Sequence, residues 1–281
     1  MAELQSLKEQ NILYRRWGPA DPKAILLLIY GLGAHTGRWE FLANFFSQKG
    51  YACYAIELRG FGETKDLPRG HVDSLKIYYR DSFELFRFIQ KKNPGKKVFV
   101  LGESLGGLIA FVMASLYASD LAGLIAISPY FKSSLRLPLY EYSLIFFSLL
   151  YNPRKLFHIP FNAAMLTHDP EHQKVIESDP RELRFSSSGL LFMILLEQLR
   201  AKRLAKSIEL PTLFLLAGKD LLVDPKESKA VFKHLKTADK TLIEYPEMLH
   251  ALSIEVGREK VFSDILGWLS DTCQRTPPTS S

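Results

Sequence analysis

Apolar residues fall along this chain in two alternating patterns. Short runs that are apolar at nearly every position recur at residues 24–30, 51–58, 97–102, 123–128, 212–217 and 241–245. Each has the length of a strand, and a run apolar on both alternating faces predicts a strand buried between two layers. Between these runs, residues 39–49, 73–92, 105–117, 226–235 and 259–269 place apolar side chains at helical spacing. In the first of them the apolar positions are 41, 42, 45 and 46. Strand alternating with helix predicts an α/β fold, a mostly parallel sheet with helices on both faces. Residues 11–17, rich in aromatic and β-branched side chains, predict one antiparallel strand before it.

The alternation breaks once. Residues 131–207 read as helical throughout, with helices at 140–151 and 189–206 and prolines at 138, 153, 160, 170 and 180. Strands resume directly afterwards, so the expected organisation is a core of residues 1–130 and 208–281 carrying a helical cap insertion, 131–207. The tail 276–281 is expected to fray.

Composition narrows the class. Hydrophobic residues make up 47% and charged residues 23%, which supplies a large core and argues against disorder. The net charge of +6 comes without a basic run interleaved with aromatics or zinc-ligand spacing, so nucleic acid is not an expected partner. Cys53 lies in an apolar run and Cys273 in the polar end, which is no disulfide framework and fits a reducing compartment. The first ten residues lack the basic start and apolar stretch of a secretory signal, and no segment approaches the ~20 apolar residues that span a bilayer. The expected location is cytoplasmic.

The chemistry concentrates at Gly102-Glu-Ser-Leu-Gly-Gly107, which follows a strand and opens a helix. This is the G-x-S-x-G nucleophile elbow in its required context: a tight turn exposes Ser104, and the helix N-terminus lies beneath it. Serine needs a base at neutral pH. Of seven histidines, His250 follows the last strand run and precedes the last helix, on the same sheet edge as Ser104. The other six read as structural or solvated. The orienting carboxylate is Asp220, directly after the fifth run, with Asp224 as the alternative; Asp224 before Pro225 also reads as a helix N-cap. The order Ser104, Asp220, His250 is nucleophile, acid, base. Backbone N–H groups of Leu105 and of Leu32, in the glycine turn 30–35, are the candidate oxyanion donors.

From about residue 14 to 269 the chain resembles the α/β-hydrolase fold, and within it is similar to the monoacylglycerol lipase and lysophospholipase group. Residues 31–39, 58–62 and 178–180 carry this resemblance together with the elbow. It implies Ser104 as nucleophile, Asp220 as acid, His250 as base and Leu32 and Leu105 as oxyanion donors, with no metal or organic cofactor. The chain departs from the group at Tyr30, where a histidine usually braces the oxyanion loop, and at Glu103 beside the nucleophile.

Two cap segments, 144–151 and 190–196, are apolar around most of a helix. Packing explains much of this. The functional expectation is an acyl-chain tunnel with Phe146, Phe147, Leu150, Leu191 and Ile194 as substrate-binding residues. The cap holds 11 Lys and Arg against 7 Asp and Glu, which suggests peripheral contact with an anionic membrane or micelle. The expected function is hydrolysis of carboxylic esters with an apolar acyl part. The rivals are the same triad acting on thioesters, aryl esters or small peptides, and a catalytically silent lipid-binding homologue.

Overall fold

The computed structural model describes residues 2–7 and 9–275, so the tail 276–281 lies outside the described residues. In chain order the elements are β1 (Leu4–Leu7), β2 (Ile12–Trp17), β3 (Ile25–Ile29), α1 (Glu40–Gln48), β4 (Ala52–Ile56), α2 (Leu75–Lys92), β5 (Val98–Glu103), α3 (Leu105–Leu116) and β6 (Gly123–Ile127). Then follow α4 (Leu139–Tyr151), β7 (Leu156–His158), α5 (Pro170–Ser178), β8 (Phe185–Ser187) and α6 (Ser188–Ala205). The chain closes with β9 (Thr212–Ala217), α7 (Pro225–Lys233), β10 (Lys240–Tyr245) and α8 (Arg258–Gln274).

Eight strands form one sheet in the order β1-β2-β4-β3-β5-β6-β9-β10. β1 and β2 pair antiparallel, β2 joins β4 antiparallel, and every later pairing is parallel. This is the α/β architecture the alternation predicts, with all six apolar runs as strands. β3, β4, β5, β6 and β9 are buried at every position, as strands covered on both faces must be. The sixth run differs. Among the described residues β10 pairs only with β9, and its Thr241 and Glu244 are exposed, so it is an edge strand rather than one enclosed between layers.

The segment between β6 and β9 is mostly helical but not wholly so. β7 and β8, three residues each, pair antiparallel as a separate ribbon. Strands this short show too few alternations for the sequence pattern to register. α6 turns Leu190, Ile194, Ala201 and Ala205 into the same core as the sheet. A smaller cluster joins Ala163, Leu166 and Ile176 of this segment to Leu222, Val223, Ala251 and Ile254 of the loops after β9 and β10. α4 is the exception: Ser148 is its one buried residue, and Leu139 and Leu150 are 85% and 78% exposed. Among the described residues no helix is long and apolar enough to cross a membrane.

Candidate active site

Because β4, β3, β5, β6, β9 and β10 run parallel, their C-terminal ends share one edge of the sheet. The loops leaving β3, β5, β9 and β10 there bring Leu32, Ser104, Asp220 and His250 together. β5 ends at Glu103 and α3 begins at Leu105, which leaves Ser104 alone to make the turn, at φ 58° and ψ −120°. A side chain in this region costs about 1–3 kcal/mol unless its surroundings hold it. Here the Ser104 N–H donates to the Ile127 carbonyl at 2.9 Å, and its own carbonyl accepts from Tyr130 at 3.0 Å. The turn closes only over glycine. A Cβ on Gly102 would lie 2.0 Å from the Gly106 carbonyl oxygen, and one on Gly106 would lie 1.9 Å from that of Ile29.

His250 is 3% exposed. Its Nδ1–H donates to Asp220 Oδ2 at 2.8 Å, while Asp220 Oδ1 accepts from the N–H groups of Leu222 and Val223, each at 2.9 Å. The carboxylate is thus fixed at both oxygens. Asp224, the alternative acid, instead caps α7 by accepting from Lys226 N–H at 3.0 Å and pairs with Lys132. Burial pulls the His250 pKa down, but the charge and hydrogen bond of Asp220, joined by the Glu103 carboxylate, outweigh it, and the net direction is up from 6.5.

Ser104, His250 and Leu32 line one cavity together with Tyr30, Arg38 and Glu103. Leu105, the other candidate donor, opens α3, where the first N–H groups of a helix have no intrahelical acceptor. The loop carrying Leu32 is braced by Tyr30. The Leu58 N–H donates to its hydroxyl at 2.6 Å, and the hydroxyl reaches Glu57 Oε1 at 3.5 Å. Glu57 in turn accepts from Thr36 Oγ1 at 2.5 Å and from Glu63 N–H at 3.2 Å. The departure at Tyr30 therefore keeps a brace of different chemistry.

The other histidines near this edge hold structure. His35 Nδ1 accepts from Gly37 N–H at 3.0 Å, which leaves Nε2–H to face Asp179 Oδ2 at 3.2 Å. Burial lowers its pKa to about 4, in keeping with a neutral ring. His71 joins Ser187 at 2.7 Å to Asp73 at 3.0 Å, and His168 sits 3.2 Å from Glu255.

The cavity at Ser104 is narrow, about 60 Å³, and apolar on the side of Leu135, Ile159 and Leu166. A second cavity of about 530 Å³, within the ordinary range for a ligand site, lies beside α4 and α6. The two share Tyr130, Leu135 and Ile159 as lining residues. Of the five residues expected to contact an acyl chain, Phe146 and Leu191 line the outer cavity. The other three require correction. Ile194 is 2% exposed and belongs to the main core, and Phe147 and Leu150 are exposed and line neither cavity. An all-apolar helix carries no sequence mark of which face meets the sheet, so α4 and α6 could not be oriented in advance. Sequence reasoning also missed Leu135, Ile159, Phe161 and Val223, which come from loops without periodicity.

A family described as serine aminopeptidase, S33, matches residues 20–257. Human monoglyceride lipase is 29% identical over 279 residues, covering 95% of this chain and 88% of that protein. The monoacylglycerol lipase of Mycolicibacterium smegmatis is 25% identical, covering 92% of each. The crystal structure of the monoacylglycerol lipase of Paleococcus ferrophilus superposes with a TM-score of 0.84 at 25% identity, covering 96% of this chain and 99% of that one.

The Tyr30 brace has a measurable consequence. Tyr30→Phe strands the buried Leu58 N–H, and an unmet buried donor costs about 1–3 kcal/mol. Urea unfolding should show a loss of that size with the slope unchanged. Stability equal to that of the parent protein would mean that the hydroxyl does not brace the loop.

Proposed function

The chain belongs to the serine aminopeptidase S33 family, in its monoglyceride-lipase-like group of α/β-hydrolases, and is a serine ester hydrolase; on that premise we propose that it cleaves monoacylglycerols or lysophospholipids through Ser104, His250 and Asp220. His250 Nε2 takes the Ser104 proton as the hydroxyl oxygen attacks the ester carbonyl. Asp220 keeps the ring in the tautomer with the proton on Nδ1 and stabilises its cation. The N–H groups of Leu32 and Leu105 receive the developing oxyanion. The alcohol leaves with the proton from His250, and water deprotonated by the same ring then releases the acid from Ser104.

The observation that carries this reading is the convergence of a strained, half-buried Ser104 and an Asp220-bound His250 on one cavity that shares its apolar wall with a larger one. The inner cavity suits the ester. The outer one, walled by side chains such as Leu137, Ile145 and Leu149, suits an alkyl chain. Residues 131–207 then act as a cap on the core, since they supply most of that wall. The same cap offers a route to the substrate. Contiguous apolar side chains on α4, among them Leu139, Leu144, Phe147 and Leu150, face solvent, as a surface that rests on lipid would. The basic end of α6 adds less than its count suggests, because Arg200 and Lys202 are paired with Glu197 and Glu227.

Turnover should be measured on a panel of monoacylglycerols, lysophospholipids, thioesters and aryl esters, alongside labelling by a fluorophosphonate probe. We expect the first two classes to be preferred, the label to fall on Ser104, and Ser104→Ala to lose on the order of 10⁴-fold or more in kcat. Retained turnover or labelling in that variant would end the assignment.

A second expectation concerns pH. Only the neutral imidazole can accept the Ser104 proton, and the pKa of His250 is displaced upward. The kcat/KM profile should therefore climb through an apparent pKa above 6.5, with activity lost below it. A flat profile from pH 5 to 8, or a limb below 6.5, contradicts this role for His250.

A third concerns α4. Leu139→Asp places a carboxylate in the first turn of α4, where it suits the helix dipole and spares the fold. Sedimentation with phosphatidylcholine vesicles should show binding weakened by about tenfold or more, as expected for losing one buried leucine. Turnover of a short, water-soluble ester should stay the same. Equal binding by parent and variant would remove α4 from the lipid contact.

A further inference from the structure

Glu103 is a charged residue at the end of an otherwise apolar strand, immediately before Ser104, and it is 7% exposed. Such a group is expensive to bury unless it has partners. Both of its partners come from one residue, 150 positions away. Oε1 accepts from the Ser253 N–H at 3.0 Å and Oε2 from the Ser253 hydroxyl at 2.7 Å. Ser253 is fully buried, three residues after His250, in a tight turn where Leu252 N–H donates to the His250 carbonyl at 3.2 Å. Glu103 also lines the cavity that Ser104 and His250 share.

We infer that Glu103 is a positioning residue for hydrolysis: its carboxylate grips Ser253, sets the loop of His250 against the turn of Ser104, and puts a second negative charge beside the imidazolium that forms in turnover. The inference rests on Ser104 and His250 being nucleophile and base. Geometry supports the first part, because one side chain ties the strand that ends at the nucleophile to the loop that carries the base. A misplacement of 1 Å between reacting groups can cost about 10²-fold in rate. Hydrogen bonding supports the second, because the Ser253 N–H on one oxygen and its hydroxyl on the other are donors that suit the ionised carboxylate. Burial pushes the Glu103 pKa up; the Ser253 donors and the charges of His250 and Arg38 pull against it without reversing it, so the net direction is up from the ordinary carboxylate value. The charged groups facing His250 are Asp220 from the loop after β9, Glu103 from β5 and Arg38 from the segment after β3, the last already paired with Glu182.

Three variants separate position from charge. Glu103→Gln retains the clamp, since its oxygen can accept from Ser253 N–H while its amide donates to a rotated Ser253 hydroxyl, but it loses the charge. The acid limb of kcat/KM should move down by about half a pH unit or more, with kcat reduced by less than tenfold. Ser253→Ala keeps the charge and drops one bond. Here kcat should fall a few-fold and the limb should stay in place. Glu103→Ala removes both, and kcat should fall on the order of 10²-fold with KM within about twofold. An unmoved limb in Glu103→Gln, or a loss confined to KM in Glu103→Ala, overturns the inference; the latter would make Glu103 a head-group contact. If Glu103→Ala does not fold, the other two variants decide. Fluorophosphonate labelling of the parent and of Ser104→Ala runs alongside. Labelling that is lost in Ser104→Ala, with normal kinetics and pH profile in the Glu103 variants, sinks only the positioning role. Labelling that persists there sinks the Ser104 reading itself.

Discussion

The arrangement of this protein depends on one close approach. The turn from β5 to α3 packs so tightly that neither Gly102 nor Gly106 has room for a Cβ, the first against the Gly106 carbonyl and the second against that of Ile29. This contact presses α3 onto the sheet beside β3 and forces Ser104 to positive φ. It also decides where chemistry can occur. In a parallel sheet only the C-terminal edge gathers loops from several strands, and the helix that starts there points its unpaired N–H groups toward that edge. A strained serine at any other place would lack neighbours able to use it.

Loops meeting at an edge must still be held, and here buried carboxylates do most of the holding. Glu57 gathers Thr36 and Glu63, Asp220 gathers Leu222, Val223 and His250, and Glu103 gathers Ser253. Glu255, fully buried, accepts from the N–H groups of Leu249 and His168 at 3.0 and 2.9 Å, tying the loop of His250 to the segment before α5. Backbone N–H donors recur in these sets. A carboxylate that takes two or three such bonds is paid back for desolvation and makes a loop nearly as well defined as a strand. The site is therefore rigid where it is irregular.

How much of this was legible in the sequence follows from range. The strands β3 to β6 and β9 announced themselves because burial on both faces leaves an unbroken apolar run, and the elbow did so because Gly102, Ser104 and Gly106 are local. His250 and Asp220, which the structure joins by a hydrogen bond, stand out in the sequence only by their order after the last strands. Pairings over long separations left no local trace: nothing in the pattern ties Glu103 to Ser253 or Arg38 to Glu182. The three-residue strands β7 and β8 were too short to show a period. Orientation failed for the same reason in α4 and α6. Where every face is apolar, periodicity is silent, and only the packed molecule assigns Ile194 to the core and Phe147 to solvent.

Those long-range pairings give the molecule a property that no single loop has. Arg38 Nε and Nη2 hold both oxygens of Glu182 at 2.6 and 2.9 Å, and the Leu183 N–H donates to the Gly33 carbonyl at 2.8 Å. His35 adds its contact with Asp179, whose pKa falls to about 2, chiefly through its hydrogen bond to Arg181. The contacts of Arg38, Gly33 and His35 join the loop that carries Leu32 to residues 179–183 of the segment beside the outer cavity. Arg38 and Glu182 are both almost buried, so separating them would strand two charges, a far larger cost than breaking an exposed pair. The end of the segment at 179–183 is consequently tied to the loop of Leu32, while α4, with one buried residue and among the described residues no such bond, is held less firmly. Any adjustment that widens the narrow cavity at Ser104 is therefore easier from the α4 side, through Leu135 and Ile159, than from the side of Leu32, whose loop those bonds hold.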